Sequence, residues 1–280
     1  MISAPSSFVS YRSSPYLSLK HSSYFDVYDI LFSPYVGKEI VFVEIGVLNG
    51  GSLFMWRSFF GEKARIIGID LNPRAKRWEE HGFEIYIGSQ SDETFWADFK
   101  SRVGPIDILL DDGGHTFEQQ IVTVEAMLPA IRDGGLLVVE DTHTSYKQEF
   151  GAPSRYSFVE YAKNMVDGIN YRSRQVKADR PPERRVFSIQ FFESFVVFLV
   201  DRKRSEAEAV PVSNDGQSLD AKDYRDEGDS QLRLLAVFRS RLAAMKNLYL
   251  VGNAARLIGR KLFRSVMKRQ NRRLGRFFRY

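Results

Sequence analysis

Short apolar runs alternate with amphipathic stretches along the first two thirds of the chain. Five runs of β-branched and aliphatic residues have the length of strands, and each ends in, or is followed by, a glycine or an acidic residue. These runs are 40–45, 66–70, 83–87, 106–110 and 136–139. Continuous apolar runs of this length are typical of strands that are buried on both faces of a parallel sheet.

Helical periodicity predicts the segments between these strands. The predicted helices are at about 24–31, 52–60, 93–102, 117–131 and 156–169. Two late strands, 186–192 and 195–200, flank Glu193-Ser194 and predict a hairpin. The predicted fold class is therefore α/β: a doubly wound, Rossmann-like sheet that is closed by an antiparallel C-terminal hairpin, a layout that resembles the sheet of class I methyltransferases. A dinucleotide-binding fold would continue with parallel crossovers instead.

The pattern divides the chain into four parts. Residues 1–21 are predicted to be an irregular N-terminal lead, and residues 22–201 to form the methyltransferase domain. Residues 202–230 are polar and lack periodicity, which indicates a flexible linker. Residues 231–280 have an apolar stripe between basic residues and are predicted to form a basic amphipathic helical tail.

A glycine-rich loop joins the first predicted strand to its helix. Its glycines, Gly46, Gly50 and Gly51, have G-x-x-x-G-G spacing and not the G-x-G-x-x-G spacing that cradles a pyrophosphate. Glu44 would repel a pyrophosphate but attract an ammonium group, and Asp70 can accept hydrogen bonds from both ribose hydroxyls. The pattern favours S-adenosylmethionine, which is cationic and phosphate-free. An ordinary strand-to-helix turn would use similar glycines.

Three more residues are predicted to lie beside this cofactor. Ser89 and Gln90 follow the third strand, where the adenine would rest, and Asp111 ends the fourth strand. Asp111 and Asp112 are consecutive, so their side chains begin on opposite faces of the strand. We expect Asp111 to support the cofactor side and Asp112 to face a metal ion.

Acidic residues also follow the fifth predicted strand, as Glu140 and Asp141. The carboxyl ends of parallel strands meet at the ligand crevice, so we expect these carboxylates to converge with Asp112. Three carboxylates in a chain without cysteine predict a hard-oxygen site for Mg²⁺, with Mn²⁺ or Ca²⁺ as alternative ions. The other interpretation is that strand-end acids cap the helices that follow them.

A histidine follows each acidic pair. A divalent ion that binds neighbouring oxygens would acidify an acceptor hydroxyl, and His115 is predicted to act as the general base that takes its proton. A lone histidine is more often structural, and that interpretation stays open at this stage. Whether His143 has a direct role is also open.

The motifs at 43–52, 68–70, 111–115 and 139–143 resemble those of the metal-dependent sugar O-methyltransferases of the mycinamicin and macrocin type. Rhamnosyl methyltransferases and cephalosporin-hydroxylase-like proteins carry similar motifs. The resemblance covers about residues 21–200. It implies metal ligation by Asp112, Glu140 and Asp141, with His115 as the base. It also implies an acceptor hydroxyl on a deoxy-sugar of a glycoside, while the basic tail departs from the pattern and makes a cell-surface glycan precursor an equal alternative.

Charge is distributed unevenly along the chain. Residues 231–280 contain 14 Lys plus Arg and no acidic residue, whereas residues 1–230 contain 26 Lys plus Arg and 35 Asp plus Glu. The tail is therefore a candidate for oligomer contact, for peripheral contact with an anionic membrane or, with less support, for nucleic-acid binding. The expected location is the cytoplasm, including the inner membrane face.

These features together predict an S-adenosylmethionine- and Mg²⁺-dependent O-methyltransferase whose acceptor is a sugar hydroxyl of a small glycoside or a glycan. Two alternative hypotheses use the tail: an RNA-directed methyltransferase that it anchors, and a non-catalytic, membrane-associated binding protein. Homo-oligomers are compatible with all three.

Overall fold

The computed structural model describes residues 6–170 and 185–217 of the 280-residue chain, with isolated positions after them. Its strands are β1 (Val41–Ile45), β2 (Arg65–Asp70), β3 (Glu84–Ile87), β4 (Ile106–Asp111), β5 (Ile131–Val139), β6 (Val186–Phe192) and β7 (Phe195–Val200). They form one sheet in the order β3-β2-β1-β4-β5-β7-β6.

The first five strands pair in parallel, and β7 lies antiparallel between β5 and β6. The strand order reverses between β1 and β4, so the loops that follow these two strands diverge and leave a crevice at the carboxyl edge. This topology confirms the predicted Rossmann-like class I sheet with its antiparallel closing hairpin.

Helices cover both faces of the sheet. They are α1 (Ser7–Arg12), α2 (Tyr24–Phe32), α3 (Gly51–Phe60), α4 (Glu93–Val103), α5 (Phe117–Met127), α6 (Phe158–Ile169) and α7 (Arg202–Glu206). Side chains alternate along each strand, so Phe42 packs in a core with α2 and α3, whereas Val43 packs in a second core with α4, α5 and α6. The central strands are buried on both faces, as their unbroken apolar runs predicted.

The structure differs from the predicted irregular lead at Ser7–Arg12, which form α1. α1 packs against α3, and Ser7 is fully buried, with its hydroxyl donating to the Phe25 carbonyl 3.2 Å away. After α1, residues 13–20, here called the strap, cross the amino end of α3. Ser14 donates to the Gly51 carbonyl at 2.8 Å, and the Tyr16 ring lies 4.6 Å from the Trp78 ring. The N-terminal segment is therefore part of the methyltransferase unit.

Two more boundaries differ from prediction. The helix expected to reach residue 131 ends at Met127, because Pro129 occupies a short 3₁₀ turn and Ile131 already belongs to β5. The predicted linker begins with helix α7, which Asp201 caps by accepting from the Arg204 backbone N–H at 2.9 Å.

Contacts divide the chain into one compact unit at 1–209 and a second at 210–280. The predicted linker, 202–230, is described over 202–217 and at residue 219, whereas most of the predicted tail lies outside the described residues. Among those that are described, no helix has the length and apolar character needed to cross a bilayer.

Candidate active site

A cavity of about 350 Å³ opens at the carboxyl edge of the sheet, between the ends of β1, β2 and β4. Of the residues predicted to bind the cofactor, Gly46, Asp70 and Gln90 line it. The cavity walls also include Asp112, His115 and Asp141, but no lysine or arginine. Three acids and no lysine or arginine suit a cationic cofactor that lacks phosphate better than a dinucleotide.

The loop after β1 is held in place by backbone contacts. Gly46 has φ +93°, a conformation that favours glycine, and an added Cβ there would lie 2.1 Å from the Asp112 carbonyl oxygen. Asp70 Oδ2 accepts hydrogen bonds from the backbone N–H groups of Val47 and Leu48, each at 3.0 Å. Asp70 therefore orders the glycine loop and also faces the cavity.

Glu44 does not line the cavity. Its carboxylate is fully buried and accepts hydrogen bonds from the Ser52 hydroxyl at 2.7 Å and the Trp56 indole N–H at 3.0 Å. Burial raises the pKa of Glu44 to about 7. Glu44 was predicted to contact a cofactor ammonium directly, but these partners hold it in the core beneath the glycine loop.

The other two loop glycines contact protein atoms. A Cβ on Gly50 would meet the Trp78 indole, and one on Gly51 would lie about 2.4 Å from the Tyr16 carbonyl oxygen in the strap. Their small size allows these close contacts, a requirement that the spacing of the glycines did not reveal. Ser89 is not among the cavity residues either; its hydroxyl accepts from the Ser91 N–H at 3.2 Å.

Asp111 does not line the cavity, and its role beside the cofactor stays a prediction. It is buried, and both of its carboxylate oxygens accept from the Gln90 amide at 2.9 Å. The Gly113 N–H donates to Asp111 at 3.1 Å, and Gln90 Oε1 accepts from the Gly114 N–H at 2.9 Å. Burial raises the pKa of Asp111 to about 7. This network fixes the shape of the Gly113-Gly114 turn.

The turn after β4 and the end of β5 bring three donor side chains together. Ligand atoms of Asp112, His115 and Asp141 lie within 4.8 Å of one another, and His115 Nε2 is 3.5 Å from Asp141 Oδ2. Both His115 and Asp141 have φ +58°, a left-handed backbone that turns each side chain back toward the cavity. Two carboxylates and an imidazole around one point fit the donor set of a divalent cation.

Glu140, the third predicted ligand, is bonded to protein groups. Its carboxylate is buried and accepts from the Tyr28 hydroxyl at 2.6 Å and the Lys20 ammonium at 3.0 Å. Burial raises the pKa of Glu140 to about 8, although Lys20 acts in the opposite direction. Metal ligation by Glu140 therefore stays a prediction.

Lys20 is a site residue that could not be predicted from the sequence. Its ammonium donates to Asp112 Oδ2 at 2.5 Å as well as to Glu140, and its side chain is only 2% exposed. Burial alone lowers the pKa of Lys20, but the charges of Asp112 and Glu140 dominate and raise it well above its usual range. The site thus contains a fully buried cation from the end of the strap.

Residues in α2 and in the segment just before it also contribute to the site. The Tyr24 hydroxyl donates to Asp141 Oδ1, and ligand atoms of His21, Asp141 and His143 lie within 4.8 Å of one another. His143 Nδ1 is 3.1 Å from the Ser194 hydroxyl, and burial lowers the pKa of His143. No motif precedes α2, so these partners could not be predicted.

Comparison with known proteins identifies the domain. Residues 43–142 match the family model described as "Methyltransferase domain". The chain is 32% identical over 195 residues to the 8-demethyl-8-alpha-L-rhamnosyl tetracenomycin-C 2'-O-methyltransferase of Streptomyces olivaceus, covering 62% of this chain and 51% of that protein. It is 30% identical over 209 residues to the mycinamicin VI 2''-O-methyltransferase of Micromonospora griseorubida, covering 69% and 51%.

A solved structure extends the match to the fold. The mycinamycin-pathway methyltransferase MycE, in complex with Mg, S-adenosylhomocysteine (SAH) and mycinamycin VI, superposes with a TM-score of 0.64 at 26% identity, covering 73% of this chain and 54% of that one. The chain spans about half the length of the curated relatives it matches. These comparisons confirm the predicted resemblance: the chain carries a class I methyltransferase domain related to the sugar O-methyltransferases of the mycinamicin and macrocin type.

Proposed function

We propose that this chain is an S-adenosylmethionine- and Mg²⁺-dependent O-methyltransferase that acts on a sugar hydroxyl of a glycoside. One observation supports this most directly: Asp70 at one end of the cavity and the cluster of Asp112, His115 and Asp141 at the other line the same space. A methyl donor and an activated acceptor would therefore meet within a single cavity.

The cofactor end of the cavity would bind S-adenosylmethionine through Gly46, Asp70 and Gln90. This cofactor supplies an activated methyl group. Asp70 Oδ1 accepts from the Asn72 N–H at 2.8 Å, so both of its oxygens are oriented by backbone donors. The apolar walls, Ile45, Ile69 and Leu71, suit an adenosine ring system. The MycE structures that resemble this chain contain SAH and Mg.

The acceptor end would bind Mg²⁺ through Asp112 and Asp141, with Glu140 as the third carboxylate. A divalent cation there supplies Lewis acidity, which lowers the pKa of a hydroxyl that binds it and orients that hydroxyl. Asp141 is held by Tyr24, and the Gly46–Asp112 backbone contact fixes the end of β4. The protein thus positions these two ligands from opposite sides.

His115 is the proposed general base. It lines the cavity with its side chain 25% exposed, and its Nε2 lies 3.5 Å from Asp141 Oδ2. From this position His115 would take the acceptor proton. The Thr144 hydroxyl donates to the His115 carbonyl at 3.1 Å and helps to hold its left-handed backbone.

The acceptor class is proposed from the relatives, which are named for methylation of rhamnosyl and other sugar hydroxyls on glycosylated small molecules. A sugar offers adjacent hydroxyls, which a divalent ion can bind together. Glycan precursors share this chemistry and are the second acceptor class. The carboxylates that line the cavity disfavour an RNA phosphate backbone as the acceptor.

The test is transfer of labelled methyl from S-adenosylmethionine to a panel of rhamnosylated and deoxy-sugar glycosides and to fractionated cell glycans. We expect transfer that requires Mg²⁺ and is abolished by EDTA or by Asp112→Asn. Asp98→Asn is a matched control, because Asp98 lies on the surface of α4 in an ion pair with Arg102. Full transfer in EDTA, or by the Asp112→Asn protein, would refute the metal-dependent function.

A further inference from the structure

Among the groups that were not predicted as site residues, the ammonium of Lys20 is the most unusual. It lies between Asp112 Oδ2 at 2.5 Å and Glu140 Oε1 at 3.0 Å, two of the three residues predicted to bind Mg²⁺. Burying an ammonium with two carboxylates requires close pairing to offset the lost hydration. Lys20 therefore offsets part of the negative charge of these carboxylates.

A single positive charge compensates this cluster only in part. Lys20 pairs with Asp112 and Glu140, Asp141 lies beside Asp112, and Glu44 is also within electrostatic range of Lys20. A divalent cation carries twice the charge and can bind several oxygens at once. The same carboxylates thus have two competing partners, one of which is part of the chain.

We propose that Lys20 is the resident cation of this cluster, and that a divalent cation binds Asp112 and Glu140 by displacing its ammonium. The proposal rests on the proposed function, since it assigns the metal site to the same carboxylates. It explains why Glu140, although a predicted ligand, is bonded to Lys20 and Tyr28 here.

The strap has the structure that such a displacement needs. Its first part is anchored: Ser14 is bonded to the Gly51 carbonyl, and the Ser18 carbonyl accepts from the Tyr11 hydroxyl at 2.9 Å. Leu19, which follows these anchors, lines the cofactor cavity and is 82% exposed. Lys20 can therefore leave the carboxylates through a shift at the end of the strap, and that shift would also move a wall of the cofactor cavity.

The first experiment uses the unaltered full-length protein. Lysine amines are labelled with an acylating reagent in EDTA or in saturating Mg²⁺, and the modified peptides are quantified by mass spectrometry. In EDTA, we expect Lys20 to be protected relative to exposed Lys63; Mg²⁺ should raise the Lys20 rate about tenfold or more and leave Lys63 unchanged. Continued protection of Lys20 in protein that has bound Mg²⁺ would overturn the proposal.

The second experiment compares Lys20→Met with the control Lys63→Met. Removing Lys20 leaves the buried Glu140 and the partly exposed Asp112 without their cation, so we expect the Tm in EDTA to fall by about 10 °C. Mg²⁺ should restore most of this loss in Lys20→Met but shift the wild-type Tm much less. Mn²⁺ affinity, measured from the spin resonance of the free ion, should rise about tenfold or more without the competing lysine.

The outcomes separate this proposal from the function on which it rests. If Mn²⁺ binds the wild type in a manner that requires Asp112, but binds Lys20→Met equally or more weakly, the displacement is wrong and the metal-dependent function stands. If neither Mg²⁺ nor Mn²⁺ binds to any variant, both the displacement and the metal-dependent function are wrong. A Tm loss in Lys20→Met without rescue by Mg²⁺ would make Lys20 a purely structural ion-pair partner.

Discussion

At the scale of single residues, the two consecutive aspartates at the end of β4 have different surroundings. Asp111 is 1% exposed and its carboxylate is bonded to Gln90 and the Gly113 N–H. The Asp112 side chain is 21% exposed, lines the cavity and pairs with Lys20. Because neighbouring strand residues point to opposite faces, one carboxylate shapes the turn while the other is available to the cavity.

His115 provides the first residue-scale prediction. His115→Ala should lower the methyl-transfer rate by about 100-fold or more, because the acceptor proton loses its proposed base. SAH binding, measured by calorimetry, should change little, since Gly46, Asp70 and Gln90 are unaltered. His81→Ala, which changes a histidine outside this cavity, should retain the wild-type rate. An unchanged rate in His115→Ala would remove its role as base.

Glu44 provides the second residue-scale prediction. Burial raises the pKa of Glu44 from its ordinary 4.5 to about 7 in the folded protein. A carboxyl with a raised folded pKa contributes stability at pH below 4.5, and that contribution is lost as pH rises to about 7. Glu44→Gln keeps the partners Ser52 and Trp56 without the titration. Between pH 5 and pH 8, the wild type should therefore lose about 3 kcal/mol of unfolding free energy relative to the variant.

Urea unfolding at the two pH values measures this difference. Glu39→Gln, a change at an exposed glutamate, should show the wild-type pH dependence. If Glu44→Gln and wild type keep the same difference in stability at both pH values, Glu44 titrates as an ordinary carboxyl and burial does not govern it.

The sequence predicts which side chains meet at the sheet edge where one short motif determines the position of each residue. Asp112, His115 and Asp141 follow strand ends, and strand ends are local features that a parallel sheet brings to one edge. Lys20 and Tyr28 reach Glu140 across 120 and 112 positions of sequence, from segments without a motif. Nothing in the pattern around either residue connects it to the site.

At the scale of elements, the loop after β1 and the end of β4 are in backbone contact. Gly46 and Gly61 have similar positive φ, +93° and +87°, but an added Cβ would lie 2.1 Å from the Asp112 carbonyl oxygen at Gly46 and would meet nothing within 4 Å at Gly61. The two glycines therefore separate the cost of left-handed backbone from the cost of the contact.

This pair leads to an element-scale prediction. Gly61→Ala should cost about 1–2 kcal/mol of stability from backbone strain alone. Gly46→Ala should cost about 1–3 kcal/mol more, because the added methyl forces the glycine loop away from β4. It should also weaken SAH binding, since Gly46 lines the cavity. Equal Tm values for the two variants would show that the Gly46–Asp112 contact has no influence on stability.

The elements that sequence analysis missed are short and depend on tertiary contacts. α1 has six residues, among them two serines, Ser7 and Ser10, so its intrinsic helix propensity is low. It forms where those serines are buried, and Ser7 bonds α2 through the Phe25 carbonyl and the Asp29 carboxylate. The sheet strands were predictable because each contains a short, mostly apolar run.

At the scale of the whole molecule, the charge of the chain follows its division into two units. Residues 1–209 contain 24 Lys plus Arg and 29 Asp plus Glu, whereas residues 210–280 contain 16 Lys plus Arg and 6 Asp plus Glu. Every contact described for the sheet, the cavity and the carboxylate cluster lies within the first unit. The surplus of positive charge belongs to the second.

This division predicts that a chain ending at Ala209 keeps its methyltransferase properties. The shortened protein should have a Tm within about 3 °C of the full chain, because the two cores lie in residues 1–209. Its SAH affinity should be unchanged as well. A large fall in either quantity would show that residues 210–280 support the fold or the cavity.

The same pair of proteins tests the basic second unit. Anionic vesicles attract clustered Lys and Arg by about 1 kcal/mol for each residue near the surface, and this attraction weakens with salt. The full chain should therefore sediment with phosphatidylserine vesicles in low salt and be released in high salt, whereas the chain ending at Ala209, with its acidic surplus, should stay in solution. Neutral phosphatidylcholine vesicles serve as the control. Equal sedimentation of the two proteins would locate any membrane contact in residues 1–209 and remove the basic segment as its cause.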